Sequence, residues 1–208
     1  MNVTEAIVNR RSIRRWKPID VEREKIIKVL NAGRMAPSWA NIQPWRFIVV
    51  QELDHIQSVA MCTGGKLVVK TAPVIIVACY KADAFTKDNQ RESLINLVHN
   101  GALDLSENGV EVALGNPYQA PHTQGECYML VKTGEQVMIA LSYMTLEAIN
   151  QGLGTCWIGT VAPDLHQDLG IPEELILHSL LALGYPDESP LPRPRKKLNE
   201  IVSWETYP

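Results

Sequence analysis

The chain alternates short, unbroken apolar runs with longer amphipathic stretches, a pattern that predicts a sheet flanked by helices. The apolar runs have the length and continuity of strands covered on both faces, and they lie at residues 47–50, 73–80, 155–160 and 178–184. Apolar residues recur at helical spacing in residues 3–10, from residue 20 onwards, in 51–61 and in 134–150. The last of these stretches is apolar around most of its circumference, so we expect it at the centre of the fold or at a subunit interface.

Residues 82–132 contain few apolar stripes and several glycines and prolines. This composition indicates either a loop-rich excursion that caps a pocket or a surface insertion, and the sequence favours neither. His99 and His122 lie in this segment with no catalytic partner nearby in the sequence, so we interpret them as surface residues.

Composition narrows the range of functions. The 208 residues, 46% of them hydrophobic, suffice for the core of one domain spanning residues 1–208. A net charge of -3 gives no overall basic field, so nucleic acid is not an expected partner. No apolar run reaches the ~18 residues of a membrane span, and the first residues lack the apolar core of a secretory signal, so we expect no membrane partner and a cytoplasmic location. The four cysteines are widely separated, which favours reduced thiols over disulfides or a metal site.

Two clusters of basic residues lie near opposite ends of the chain, at 10–15 and at 193–197. Arginine presents a planar fork that can grip two phosphate oxygens, and Ser12 adds a hydroxyl donor, so the clusters suit a phosphate or a similar anion. A solvated basic face is the alternative interpretation of such a run. Ile13 and Trp16 alternate with the charges of the first cluster, which indicates that one side of this segment is buried.

Short polar side chains lie between a helix end at Pro37 and the apolar run at 47–50. Regular structure on both sides holds Ser38, Asn41 and Gln43, so they can offer donors and acceptors to a flat polar ligand at a small entropic cost. An ordinary turn is the alternative interpretation.

Glycines mark two further positions. Gly159 ends the third apolar run, where a glycine lets a backbone N–H approach a ring system or simply ends the strand. Residues 64–66 read Gly-Gly-Lys, like part of a phosphate loop, but the upstream glycine and the following Ser or Thr are missing. A nucleoside triphosphate site is therefore not predicted.

Four segments, in this order and spacing, resemble the flavin-dependent nitroreductase family. They are Arg10–Arg14, Ala36–Trp45, Gly152–Gly159 and Arg193–Arg195 with Leu198 after it. The resemblance implies an α+β fold in which a central mixed sheet is flanked by helices. It also implies an intertwined homodimer with a C-terminal arm at 190–208 and an FMN in each of two interface sites, lined by elements of both subunits.

The resemblance further implies roles for individual residues in binding FMN. Phosphate and ribityl contacts are implied for Arg10, Arg11, Ser12, Arg193 and Arg195, and a position near the pyrimidine edge of the flavin for Arg14. The segment reaching across from the other subunit corresponds to Pro37, Ser38, Trp39, Asn41 and Gln43. The backbone N–H that faces flavin N5 corresponds to Gly159, with Ile158 and Thr160 beside it, and Lys66 or Lys70 is a further candidate for a ring contact.

The implied activity is two-electron transfer by a ping-pong mechanism. NAD(P)H as co-substrate would reduce the flavin, and a nitroaromatic, a quinone or a related small molecule would then accept the electrons. The flavin is the reactive group, so we expect no catalytic side chain and no metal. Two alternatives stay open: a flavin enzyme of the same fold that is oxidative or flavin-consuming and does not use NAD(P)H, and a flavin-binding module without turnover.

Overall fold

The computed structural model describes residues 1–206, which form eight α-helices and four β-strands. The helices are α1 (Val3–Asn9), α2 (Arg23–Arg34), α3 (Leu53–Met61), α4 (Leu67–Lys70), α5 (Lys87–His99), α6 (Glu107–Gly115), α7 (Glu126–Asn150) and α8 (Leu165–Asp168). The strands are β1 (Trp45–Val50), β2 (Val74–Lys81), β3 (Gly154–Ile158) and β4 (Leu175–Gly184). The arm expected at 190–208 is described as far as residue 206, and its last two residues lie outside the described part of the chain.

The four strands form one antiparallel sheet in the order β1-β2-β4-β3. The central position of β2 explains its continuous apolar sequence, because neighbours on both sides and on both faces leave only its last residue exposed. β1 is an edge strand, and Phe47, Ile48 and Val49 are only partly buried. Ile48 packs against the core on one face of the sheet, and Phe47 and Val49 pack against the core on the other, so the run is covered on both faces as expected. An apolar run does not reveal whether its strand lies at an edge, and the edge position was not predicted.

Each face of the sheet is covered by its own layer of helices. On one face α3, α4 and α8 pack through Val59, Val69 and Leu165, each of which is fully buried. On the other face α2 and α7 pack against each other and the sheet, and Met144 of α7 lies in that core. The central position of α7 thus explains why its sequence is apolar around most of its circumference.

The segment 82–132 is largely helical, so the expectation of a loop-rich excursion was wrong in its secondary structure. α5 and α6 occupy much of this segment and pack against each other, and α7 begins within it. The only residue that α5 buries completely is Gln90, so its sequence lacks the apolar stripe of a core helix. His99 contacts Glu107 at 3.1 Å and His122 contacts Gln90 at 3.3 Å, which gives both histidines structural partners.

The segment between α1 and α2 runs along the sheet and extends it. The backbone N–H of Ile13 donates to the carbonyl oxygen of Thr155 over 2.9 Å, and Ser12 forms a parallel bridge with Thr155 in β3. Farther along, the N–H of Lys17 donates to the carbonyl oxygen of Tyr185, just after β4. These bonds bring the first arginine cluster next to the residues that follow β4.

Two glycines make room for this segment. Gly154 and Gly184 pair across β3 and β4, and a Cβ added at Gly154 would lie 2.5 Å from Cγ1 of Ile13. A Cβ at Gly184 would lie 2.7 Å from the ring of Pro73 and 3.1 Å from Cε3 of Trp16. Ile13 and Trp16 therefore fill the space that side chains at Gly154 and Gly184 would otherwise occupy. Both residues are buried, as predicted from their alternation with the arginines.

Replacing Gly154 with alanine should destabilise the protein, because the added methyl group would overlap Ile13. Overpacking of this kind lowers the free energy of unfolding by about 1–3 kcal/mol. Gly115→Ala is the matched control: nothing lies within 4 Å of its Cβ position and the residue ends α6, so stability should be unchanged or slightly higher. Urea denaturation measures both variants, and equal effects would contradict the close contact at Gly154.

Candidate functional site

Five arginines from the two ends of the chain surround one cavity of about 130 Å³. They are Arg10, Arg11, Arg14, Arg193 and Arg195, and Ser12 lies among them. Within residues 1–206 none of these five guanidinium groups has a carboxylate oxygen within 4.0 Å. None of the five is neutralised by a direct ion pair in the described residues, which favours a bound anion. The structure thus brings the two basic clusters together at one place.

Glu188 was not predicted from the sequence, and it fixes the first arginine cluster. Its Oε1 accepts hydrogen bonds from the backbone N–H groups of Arg14 and Arg15, and its Oε2 lies 3.4 Å from Nε of Arg15. These contacts, led by the N–H of Arg14, hold the pKa of the Glu188 carboxyl below its ordinary value. No motif marks this position in an irregular segment after β4, so the pairing could be found only in three dimensions.

A second cavity, of about 460 Å³, adjoins the first. Arg10 and Ser12 line both cavities, so the two lie side by side. Residues of α1, α7 and β3 supply the remaining walls, and most of that surface is apolar. Among residues 1–206 Trp157 is the one aromatic residue that lines it, and it was not singled out from the sequence. Together the cavities suit a ligand with an anionic group at one end and a flat apolar body at the other.

Ile158, Gly159 and Thr160 lie at the end of β3 remote from Ser12. Ile158 is only 4% exposed and belongs to the core, so it can offer a ligand its backbone but not its side chain. Gly159 and Thr160 are exposed, and nothing lies within 4 Å of the position that a Cβ of Gly159 would take. Gly159 lies four residues beyond Thr155, or roughly 13 Å along an extended chain. A ligand that touches both Ser12 and Gly159 must therefore extend along β3.

The polar segment at 37–43 lies at the opposite corner of the sheet from the arginine cavity. It leads into Trp45, which pairs with Tyr80, and Tyr80 pairs with Ile176 near the start of β4. Thr155 pairs instead near the end of β4, on the far side of the sheet. Strand spacings place the two corners on the order of 25 Å apart. Pro37, Ser38, Trp39, Asn41 and Gln43 therefore do not share a small ligand with the arginines of the same subunit.

The same segment adopts an unusual backbone conformation. Ala40, Asn41 and Gln43 have φ angles of 44°, 60° and 45°, in the left-handed region. This region costs a residue other than glycine about 1–2 kcal/mol. Strain of this kind persists only where surrounding contacts enforce it, and it is concentrated at functional sites.

Contacts with two helices enforce the strained turn. The N–H of Trp39 donates to Oε1 of Gln136 on α7 over 2.9 Å, and the hydroxyl of Ser93 on α5 donates to the carbonyl oxygen of Ala40 over 2.7 Å. The Trp39 ring also lies 5.7 Å from that of Phe85. Within the turn, Ser38 Oγ accepts the N–H of Gln43. Ser38 therefore stabilises the turn itself, as the alternative interpretation of this segment predicted. The Asn41 side chain, in contrast, makes no hydrogen bond among residues 1–206.

The two buried thiols, Cys79 and Cys156, are not poised for nucleophilic chemistry. Burial raises the pKa of Cys79 to about 11, and it raises the pKa of Cys156 although the positive charge of Arg14 acts in the opposite direction. Both thiols are therefore protonated at neutral pH. Across residues 1–206 no group of three His, Cys, Asp or Glu side chains could hold a metal ion. In the same part of the chain, no helix has the length and apolarity needed to cross a membrane.

A sequence model of the Nitroreductase family matches residues 7–185. The chain belongs to the nitroreductase family. The matched range includes the first arginine cluster, the strained segment and β3, and it ends before Arg193 and Arg195. Three of the four segments that carried the resemblance therefore lie inside the range that defines the family.

Known relatives of this nitroreductase-family chain align with nearly all of it. An NADH dehydrogenase from Thermus thermophilus is 28% identical over 205 residues, 98% of this chain and 96% of the relative. An FMN reductase (NAD(P)H) from Bacillus subtilis is 26% identical over 208 residues, 99% of this chain and 74% of the relative. A protein from Exiguobacterium sibiricum, solved in complex with FMN, shares the fold with a TM-score of 0.79 and 21% identity, over 99% of this chain and 98% of the other.

The α+β nitroreductase fold expected from the sequence is confirmed, with a central sheet flanked by helices. One detail differs, because the four strands of the sheet are antiparallel throughout rather than mixed. The parallel contact in the described residues is the single bridge between Ser12 and Thr155. The N-terminal segment joins the sheet too briefly there to form a fifth strand.

Replacing Glu188 with glutamine should loosen the arginine segment of this nitroreductase-family protein. A neutral amide oxygen accepts the two backbone N–H groups less strongly than a carboxylate and forms no ion pair with Arg15, a loss of about 1–3 kcal/mol in the free energy of unfolding. Because the pKa of Glu188 is lowered in the folded state, the carboxylate stabilises the fold above the ordinary value of 4.5, and this contribution is lost as the pH falls through the folded-state pKa.

The difference in unfolding free energy between wild type and Glu188→Gln should therefore be constant near neutral pH and shrink below pH 4.5. Chemical denaturation at a series of pH values measures this difference. Asp187→Asn is the matched control, since the exposed Asp187 side chain makes no hydrogen bond within residues 1–206. If the difference in unfolding free energy between wild type and Glu188→Gln increases on acidification, the role given to Glu188 is contradicted.

Proposed function

We propose that this chain is an FMN-dependent oxidoreductase that passes two electrons from NAD(P)H to a small-molecule acceptor, such as a nitroaromatic or a quinone, by a ping-pong mechanism. The observation that carries the proposal is the convergence of five arginines on one cavity that lies beside a larger, mostly apolar one. Relatives named as an NADH dehydrogenase and an FMN reductase support the co-substrate and the cofactor.

The residues of the two cavities fit FMN. Arg10, Ser12 and Arg195, with Arg11 and Arg193 beside them, would hold the phosphate, whose negative oxygens match forked guanidinium donors. When bound, FMN supplies the chemistry by accepting hydride from NAD(P)H and passing two electrons to the acceptor. The backbone of this chain at Gly159, with Ile158 and Thr160 beside it, would face the ring.

In this proposal the protein positions the cofactor and supplies charge next to it. Glu188 holds the backbone of Arg14, and the guanidinium of Arg14 donates to the carbonyl oxygen of Ser12 over 3.3 Å, which places a positive charge at the site. Such a charge stabilises negative charge that develops on a bound ring without a cost of reorganisation. No side chain acts as a nucleophile, and the raised pKa of Cys156 agrees with that assignment.

We also propose that two copies form an intertwined homodimer and that both copies contribute to each FMN site. The support is the separation of Asn41 and Gln43 from the arginine cavity of their own subunit, together with the strain that holds them. Exposed apolar side chains favour a second copy as well: Ile7 of α1 is 57% exposed, and Leu198 and Trp204 of the arm are 69% and 82% exposed. The arm and α1 would then be covered by the partner.

Anaerobic reduction tests the proposed activity directly. The purified protein should be yellow or become so with added FMN, lose its visible band when NADH or NADPH is added, and regain it with one equivalent of a quinone. Arg195→Ala should weaken FMN binding by about tenfold or more, because one charge-assisted contact is worth about 1.5–3 kcal/mol. Lys28→Ala on the distant helix α2 is the control.

Each other outcome of this experiment has a defined meaning. A bound flavin that neither NADH nor NADPH reduces would replace the proposal by an oxidative or flavin-consuming activity. Reduction without turnover in the presence of quinones would leave a flavin-binding module. A colourless protein that does not bind added FMN would overturn the proposal entirely.

Mixing two inactive variants tests the shared site. The first variant, Arg10→Ala with Arg195→Ala, lacks the phosphate contacts, and the second, Asn41→Ala with Gln43→Ala, lacks the polar side chains of the strained segment. A mixed dimer would contain one intact site and one site with both defects. Co-refolding equal amounts should therefore restore roughly a quarter of the wild-type activity, because half of randomly assorted dimers are mixed.

Each variant refolded alone is the control and should stay inactive. If the mixture is no more active than its components, the segment and the arginines do not serve one site in a dimer. If the Asn41→Ala, Gln43→Ala variant is fully active by itself, the segment has no role in the reaction.

A further inference from the structure

We propose that Trp157 forms the apolar wall against which the isoalloxazine ring of FMN packs, and that Thr145 fixes the orientation of its indole. This inference rests on the proposed function and adds to it a residue that positions the ring. Trp157 belongs to none of the groups of residues assigned above to phosphate, ribityl or N5 contacts.

Trp157 differs from its neighbours in β3 by its exposure. The residues on either side, Cys156 and Ile158, are 6% and 4% exposed and point into the core, whereas Trp157 is 37% exposed. Alternation along the strand turns Trp157 to the face covered by α7, where it lines the apolar cavity. A large aromatic surface is therefore presented to a cavity rather than to the core.

The indole is held in one orientation by a chain of two hydrogen bonds. Its Nε1–H donates to Oγ1 of Thr145 over 2.8 Å, and the hydroxyl of Thr145 donates in turn to the carbonyl oxygen of Leu141 over 2.8 Å. Thr145 is 4% exposed, so water competes little for these bonds. The polar edge of Trp157 is thus satisfied within the protein, and the remaining exposed surface of the ring is apolar and rigid.

Two shared lining residues relate this surface to the proposed phosphate site. Arg10 and Ser12 line both cavities, so a ligand whose phosphate lies among the arginines can place its adjoining portion beside Trp157. Among the residues that line either cavity, Trp157 is the one aromatic side chain in the described part of the chain. Planar rings gain both apolar contact and dispersion by packing on an aromatic face.

Substitutions at Trp157 test the contact by affinity and by fluorescence. Trp157→Leu should weaken FMN binding by about tenfold, in line with the loss of one aromatic stacking partner. Trp157→Phe should bind FMN nearly as well, yet remove a large share of the tryptophan fluorescence that FMN quenches in the wild type. Lys28→Ala on the distant helix α2 changes a residue that lines neither cavity, and it should leave FMN affinity and quenching unchanged.

Substitutions at Thr145 test the orienting hydrogen bond. Thr145→Val keeps the shape of the side chain but cannot accept the indole N–H, so it should weaken FMN binding severalfold and shift the midpoint potential of the flavin. Thr145→Ser keeps the hydroxyl and should restore the wild-type affinity and potential. A structural role alone would change the thermal unfolding midpoint of Thr145→Val without changing the potential.

The result that overturns the inference is unchanged affinity in Trp157→Leu together with undiminished quenching in Trp157→Phe. That result would leave the cavity to the partner subunit and would not affect the proposed function, which fails only if the wild type does not bind FMN or is not reduced. If Trp157→Leu does not fold, Trp157→Phe and Thr145→Val still decide the matter by quenching and by potential.

Discussion

The attachment of residues 10–17 to the end of the sheet is the constraint on which the candidate site depends. Ile13 and Trp16 point inward, and Gly154 and Gly184 leave the space that they fill. With these two residues buried in one core, Arg14 and Arg15 between them are exposed. Glu188 then holds the backbone from the other side. The gathering of positive charge is thus maintained by apolar packing and one carboxylate.

The sequence was sufficient to predict those elements of the fold that are buried along their whole length or around most of their surface. β2 and α7 are central, so their apolar patterns were unambiguous, whereas α5 buries little and gave no stripe. The convergence of the two arginine clusters followed from a family resemblance, since no local pattern relates residues so far apart. Glu188 and Trp157 could not be found, because an isolated Glu after a strand and a Trp within one are typical of many structural positions.

The residues assigned to a site from the sequence lie at two corners of the sheet, and the backbone is strained at the second corner. Three residues in the left-handed region precede β1, and they keep that conformation because Gln136 and Ser93 bond to the turn from two different helices. The methyl group of Ala40 does not stabilise the left-handed conformation, so the neighbouring contacts must enforce it. A turn fixed in this way is suited to presenting Asn41 outward, to a group that its own subunit does not supply.

Ile13 and Trp16 also determine how this region can change in length. Each fills a separate gap, one above Gly154 and one above Gly184, so the number of residues between them is as fixed as in a paired strand. A single insertion there would push an arginine into an apolar gap or expel the indole. Insertions and deletions in evolution should therefore be tolerated beyond Trp16, before α2, and excluded from the short interval between these two anchors.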